Sequence, residues 1–380
     1  MAIARFTASA DNTITNAFEA DLSTRGTGSN MGYADSLEVF SIYGQTSGSA
    51  AGLSQELSRM LVKFPVSDIT SRRTAGKIPA SGSVSFYLRM FNAEHPFTLP
   101  EDFTLVVAPV SAAWDEGTGL DMESYKDLGV SNWMMRDAST VWTTVGGDYL
   151  TSSNYKVTFP KGYEDMEVNV TPLVEEWIKG AGGGGFANNG VGIRLTASQE
   201  AYYSSSTGLN SGSLINNTVG ATESYYTKKF FARSSEFFFK RPIVEARWDS
   251  RLSDDRENFF YSSSVAPALD NLNTLYYYNY IRGRLVDIPG VGTGSILVSM
   301  YSGSTAPIGS KLVLDDSNFN VTGGWVKTGI YSASVALTAA ATPLLAVFDV
   351  WHSGAAEHFT GSVYPSVMPK YSSAPTFERV

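Results

Sequence analysis

Imidazole is scarce in this chain, which has only His95, His352 and His358, so acid–base chemistry near neutral pH has few places to sit. His352 and His358 flank Glu357 as His-x4-Glu-His, which matches no helical zinc-protease pattern, and Gly354 between them reads as a loop. No metal site is expected there. Asp115, Glu116, Asp121 and Glu123 follow Trp114 closely and are the candidates for a glycosidase carboxylate pair, whose members sit about 5 to 10 Å apart. A carboxylate in a turn can instead accept backbone N–H bonds, and bracing is the expectation for these four. Asp254-Asp255 and Asp315-Asp316 offer oxygen ligands without EF-hand or nonapeptide spacing and read as solvated turns. Gly290-Val291-Gly292-Thr293-Gly294 lacks the Lys-Ser/Thr of a phosphate loop and reads as a hairpin turn. The chain has no cysteine, which removes disulfides, thiolate zinc sites and cysteine nucleophiles. No catalytic, cofactor-binding or metal residue is assigned, no cofactor is expected, and the chain is read as not an enzyme.

Aromatic clusters are the most informative residues: Tyr202-Tyr203, Tyr225-Tyr226, Phe230-Phe231, Phe237-Phe238-Phe239, Phe259-Phe260-Tyr261 and Tyr276-Tyr277-Tyr278. Adjacent side chains on a strand point to opposite faces, so a run of three cannot all enter one core. Exposed aromatics stack on sugar rings and anchor protein interfaces. Trp142, Tyr202, Tyr203, Tyr225, Tyr226, Phe238 and Tyr277 are the expected interface or glycan-stacking residues.

The elements that would carry these residues are mostly strands. The 380 residues suit two domains, and 13% aromatic with 17% charged residues fits a folded, interface-rich chain. Short runs rich in Val, Ile, Phe, Tyr and Thr recur between Gly, Ser, Asn and Pro turns, at 36–43, 60–65, 83–91, 103–110, 192–195, 237–248, 276–286, 295–301, 324–332 and 344–351. The expected fold is all-β: two β-sandwich, jelly-roll-like domains with one short helix near 171–180. Thr171 is the expected cap of that helix, Pro172 suits its first turn and Gly180 ends it. Residues 180–185 and the Ser/Gly-rich stretch 204–222 read as flexible loops, the latter an insertion. The expected domains are 1–249 and 250–380, the second serving assembly or anchoring, because the polar stretch 249–257 follows an apolar strand. A net charge of −9 argues against a nucleic-acid groove, and the pairs Arg72-Arg73 and Lys228-Lys229 read as solvated loop charges. Residues 1–18 lack the basic and apolar regions of a signal peptide, and no run of about 18 apolar residues follows; neither an export signal nor a membrane contact is expected.

In order and content the first part resembles the DNRLRE family of β-sandwich modules found in large extracellular, carbohydrate-associated proteins. The matching segments are Ala10-Asp11-Asn12-Thr13-Ile14, Ser36-Leu37-Glu38-Val39, Arg59-Met60-Leu61-Val62-Lys63-Phe64, 80–90, Trp114-Asp115-Glu116, Asn132-Trp133, Trp142 with Gly146-Gly147-Asp148, Asn169-Val170-Thr171-Pro172 with Trp177, Asn189 to Leu195, and Phe231 to Ala246. The resemblance covers about residues 5–248; Arg233-Ser234-Ser235-Glu236 is longer than the family's closing Ser-Arg-Glu, and 204–222 is extra. In the remainder, Asp270 to Tyr276, Val321 to Val326 and Phe348 to His352 resemble structural proteins of tailed bacteriophages. The resemblance implies a virion component: a capsid decoration, or a collar, tail or fibre protein located on the particle. Its partners would be other virion proteins and further copies of itself, with a host surface glycan as a possible third. The alternatives are a carbohydrate-binding module for host recognition and a polysaccharide-degrading enzyme.

Overall fold

The computed structural model describes residues 1–44, 55–94, 101–126, 129–152, 154–314, 318–338, 344, 346–354 and 356–363. His95, Asp315 and Asp316 lie outside the described residues, as does the side chain of Tyr226. The chain separates into two compact units, Met1–Ser250 and Arg251–Val380.

The first unit contains β1 (Ala2–Thr7), β2 (Ala10–Thr15), β3 (Ser36–Ile42), β4 (Glu56–Lys63), α1 (Val66–Thr74), β5 (Val84–Met90), β6 (Phe103–Pro109), β7 (Tyr155–Phe159), β8 (Met166–Asn169), α2 (Thr171–Lys179), β9 (Val191–Leu195), β10 (Tyr225–Phe231) and β11 (Ile243–Trp248). A four-stranded sheet, β1-β11-β5-β8, faces a seven-stranded sheet, β10-β3-β4-β9-β6-β7 with β2 also on β4. Their inner faces meet in one core: Phe6, Phe86, Leu88 and Val244 from the first sheet, and Leu37, Met60, Val62, Leu105 and Ile193 from the second. β4 is buried along almost its whole length because its outer face is covered too. Leu57 and Leu61 pack with Ile14, Trp114, Trp133 and Trp142 in a second cluster beneath the long connection after β6. A strand covered on both faces cannot alternate apolar with polar.

The second unit contains β12 (Asn273–Tyr278), the hairpin β13 (Tyr280–Ile281) and β14 (Arg284–Leu285), then β15 (Ile296–Gly303), β16 (Val321–Lys327), β17 (Ile330–Val335), β18 (Ala346–Ser353) and β19 (Ala356–Val363). Six of these form an antiparallel sheet, β12-β17-β16-β15-β18-β19. The sheet curls until its two edges meet: Tyr277 of β12 stacks on Phe359 of β19 with ring centroids 4.9 Å apart. Tyr277 also lies against Tyr331 and Trp351, so the core sits inside the curl. Arg256 closes the seam. It donates to the Tyr276 carbonyl at 2.8 Å and to both oxygens of the fully buried Asp349, and lies over the Phe359 ring.

The mostly-β, two-sandwich expectation therefore holds, with several local corrections. A second helix, α1, was not anticipated: only Val66 and Ile69 are buried, and Ser, Thr and β-branched residues give it weak intrinsic propensity. It is held by tertiary contact, Arg73 donating two bonds to Glu175 of α2 at 2.8 and 2.7 Å. Thr171 does not cap α2. Val170 occupies the cap position, and the Thr171 hydroxyl accepts the Phe86 N–H of β5 at 2.8 Å, docking the helix on the sheet. The expected strand at 237–248 begins only at Ile243, residues 324–332 span a turn between two strands, and the glycine-rich 290–294 is no hairpin turn but a connection fastened where Gly292 O accepts the Tyr331 hydroxyl. Lys228 is buried within β10, not solvated; its ammonium donates to Asn92 Oδ1, Gly162 O and Glu164 O at 2.6, 2.9 and 2.7 Å. The stretch 204–222 is no free loop either. Ser213 O accepts from Asn16 Nδ2 and Trp133 Nε1 at 2.9 and 2.8 Å, and Ile215 exchanges both backbone bonds with the Gln55 amide.

Candidate functional site

The four acidic residues after Trp114 resolve as three braces and one exposed side chain. Glu116 accepts the Asp11 N–H at 2.8 Å and two bonds from Arg233 at 2.9 and 2.8 Å, tying β2 to the segment after β10. Asp121 accepts the N–H groups of Glu123 and Ser124, and Glu123 accepts that of Ala20. Asp115 is exposed. Asp254 and Asp255 are also structural: they accept the Tyr276 and Thr274 N–H groups at 3.3 and 2.7 Å, along the side of β12 that pairs with no strand. Edge strands need such cover to avoid pairing with other chains. His352 and His358 bond to different serines, Ser299 and Ser353, at 2.8 Å each, and among the described residues no group of His, Cys, Asp or Glu is placed to hold a metal ion.

Three of the seven aromatics expected at an interface are core residues, a correction with a common cause. Trp142 is buried with its indole N–H donated to Asn132 O at 2.9 Å, Tyr203 is buried at a bridge with Asn217, and Tyr277 is the centre of the aromatic stack of the second unit. Each ring is covered by a further layer of the chain: Trp142 packs in the cluster over β4, and Tyr277 lies inside the curl of the sheet, on a face that local alternation assigns to solvent. Tyr225 is half-buried against the main core, Tyr202 is partly exposed, and Phe238 is exposed.

Phe238 belongs to the most exposed apolar feature of the first unit. Phe237, Phe238 and Phe239 show 51%, 57% and 83% of their surface to solvent; Phe237 precedes, and the other two open, a single 3-10 turn, Phe238–Lys240, that leads into β11. A 3-10 turn fans successive side chains outward, whereas a strand would have sent one of three inward. The rings are not loose. Phe237 meets Phe231 edge-on at 5.3 Å, Phe238 meets Phe239 at 5.5 Å, Lys240 lies over Phe231 and Phe237, and Arg241 lies over Phe238. Beside the turn, a hollow of about 680 Å³ is bounded by Phe231, Phe237 and Lys240 on one side and Asn92 and Glu94 on another. Chemically this is an anchor: a preorganised apolar projection next to a concavity, with cations at its rim. The run of three phenylalanines signals exposure in the sequence, with Phe238 the expected interface residue; its expected place in a strand over 237–248 is what the structure corrects.

A second concavity, about 570 Å³, opens over the seven-stranded sheet beside Arg59, Asp148, Tyr149, Arg194 and Glu200. Its carboxylates are engaged. Glu200 receives two bonds from Arg59 at 2.9 and 2.8 Å, and Asp148 receives the Thr143 and Thr144 N–H groups. Arg59 also donates to Gly146 O at 3.0 Å, the same carbonyl that accepts the Tyr149 hydroxyl at 2.7 Å. A Cβ on Gly192 would stand 1.9 Å from the Tyr149 ring, so this cleft wall requires glycine there. Within the cleft, Arg194 Nε is buried and lacks a hydrogen-bond partner. The arrangement is suited to holding a ligand and ties its acids into the fold. No helix among the described residues is long and apolar enough to cross a membrane.

No protein-family model matches the chain, and no curated protein is similar to it.

Proposed function

We propose that this protein is a structural component of a tailed-bacteriophage virion, a capsid decoration or a collar, tail or fibre protein, which acts by docking on other virion proteins and performs no catalysis. The observation that carries the reading is the exposed Phe237-Phe238-Phe239 turn. Burying apolar surface contributes about 25 cal/mol per Å², and clustered aromatic anchors dominate interface energetics. Solvent-facing phenylalanines held rigid by neighbouring rings and cations lose little further freedom on association, which favours binding over remaining free. The resemblance of residues 270–276, 321–326 and 348–352 to phage structural proteins supplies the setting, and the DNRLRE-like order of the first unit fits a module displayed on an extracellular assembly.

The test is direct. Virions purified from the lysate in which the chain is produced, stripped of loosely bound protein by a salt wash, are analysed by mass spectrometry and by immunogold labelling. The chain is expected in the washed particles at a fixed ratio to the major capsid or tail protein. Its confinement to the soluble fraction would reject the proposal.

A further inference from the structure

The tip of the second unit carries a group of residues that neither core packing nor the aromatic turn of the first unit accounts for. Three segments meet there. Asn279 takes the Val286 N–H on its backbone carbonyl at 3.1 Å and donates its side-chain amide to Val286 O at 2.7 Å, closing the base of the β13–β14 hairpin. The Asn279 N–H in turn donates to Gly329 O at 2.7 Å, in the turn between β16 and β17. Asp287 completes the junction by accepting the Gly329 N–H at 2.7 Å and the Trp325 indole N–H at 2.9 Å through one oxygen. The indole of Trp325 is thus fixed in place while its ring stays exposed, next to a hairpin that exposes Tyr280.

The same tip is basic. Arg282, Arg284 and Lys327 are all exposed, and among the described residues none of them pairs with a carboxylate. On a chain of net charge −9, a hairpin and an adjoining turn that carry three exposed cations against the one carboxylate of Asp287 are a local inversion of sign. The hairpin is also built at a cost. Arg282 and Gly283 have φ of 50° and 75°, the pattern of a two-residue type I′ turn, whose first position favours Asn, Asp or Gly. An arginine held at positive φ is strained, and such strain concentrates at functional positions.

We infer that this tip binds an anionic oligosaccharide, stacking sugar rings on Trp325 and Tyr280 and meeting ring carboxylates with Arg282, Arg284 and Lys327. Aromatic faces pack against the apolar faces of sugar rings, and guanidinium groups match carboxylates with paired hydrogen bonds. A polynucleotide would be recognised through a longer track of cations than the three found here, whereas a short acidic saccharide presents apolar ring faces to the two exposed aromatic rings and a few carboxylates to those cations. The inference does not rest on the phenylalanine turn, so failure of one leaves the other standing.

The full chain is titrated calorimetrically with oligosaccharides of hyaluronan, polygalacturonate and colominic acid, with a chito-oligosaccharide of matched length as the uncharged comparison and with oligothymidylate. At least one acidic oligosaccharide is expected to bind, about ten times more tightly than the uncharged one, and to weaken as salt is added. Arg284→Gln and Trp325→Ala each lower that affinity about tenfold, and Trp325→Phe, which keeps a ring, lowers it less. Arg282→Asn separates function from folding: it raises the thermal midpoint by relieving the turn and lowers the affinity. Binding to none of the acidic oligosaccharides, equal binding of the uncharged one, tighter binding of oligothymidylate, or Arg282→Asn losing stability and affinity together would each overturn the inference.

Discussion

Arg59 and Glu200 illustrate how a polar pair can fix a fold from inside. Both side chains are nearly inaccessible and joined by two charge-assisted bonds, and the guanidinium lies over Trp133. Removing one partner strands the other charge in a nearly inaccessible site, so Glu200→Gln is expected to cost about 3 to 5 kcal/mol in urea unfolding; a change below about 1 kcal/mol would show that the pair is solvated. Asp11 makes a pH-dependent prediction. Burial pushes its carboxyl up to about 7, opposed by the Arg233 N–H and raised further by Glu116, and its Oδ1 is buried without a partner. An acid whose folded pKa lies above its unfolded value of about 3.9 holds an extra proton when folded, so its contribution is greatest below pH 4 and is lost as pH rises towards 7. Asp11→Asn should therefore gain stability relative to the parent across that interval, measured by urea unfolding at each pH. A constant difference between the two proteins would refute the assignment. Neither residue announced itself in the sequence as buried: Asp11 and Arg59 stand inside matched segments, but burial of a charge depends on the long connection after β6 folding back over the sheet, which local pattern does not encode.

Among the elements, many strands were legible and the curvature was not. Runs of β-branched and aromatic residues between turns located β3, β4, β5, β6, β9, β15 and β18 to within a few residues but passed over β1, β2, β7, β8, β10 and β19, and the Pro172 and Gly180 signals located α2. Alternation alone put Tyr277 at an interface because it describes one sheet in isolation. It says nothing of a sheet that curls back on itself or is covered on both faces. The closure of the second unit depends on Arg256, which joins β12 to the buried Asp349 of β18. Arg256→Ala should destabilise the second unit by about 3 to 5 kcal/mol, and hydrogen exchange should show the loss of protection concentrated in β12 and β19. Unchanged protection in those strands would mean that the aromatic stack closes the seam without the arginine. The candidate anchor was half legible: three consecutive phenylalanines signalled exposure, but their place on a 3-10 turn was hidden by the apolar residues of β11 that follow.

At the scale of the whole molecule, each unit has its own core, so a chain ending at Ser250 is expected to unfold as one cooperative transition in calorimetry and to keep the first unit's near-ultraviolet aromatic signal. A broad, non-cooperative melt would show that the first core is incomplete alone. Fold class and the aromatic character of the surface could be read from composition and spacing, whereas the placement of a docking surface could not, because it depends on which rings the fold leaves uncovered. The account as a whole rests on Phe237, Phe238 and Phe239 being an anchor and not a defect of packing. The deciding measurement is competition for incorporation between the parent chain and a triple variant, Phe237→Ser, Phe238→Ser and Phe239→Ser, co-produced in the same lysate and quantified in purified particles. The variant is expected to show an unaltered thermal midpoint and to be depleted at least tenfold from the particles; equal incorporation of a folded variant would contradict the account.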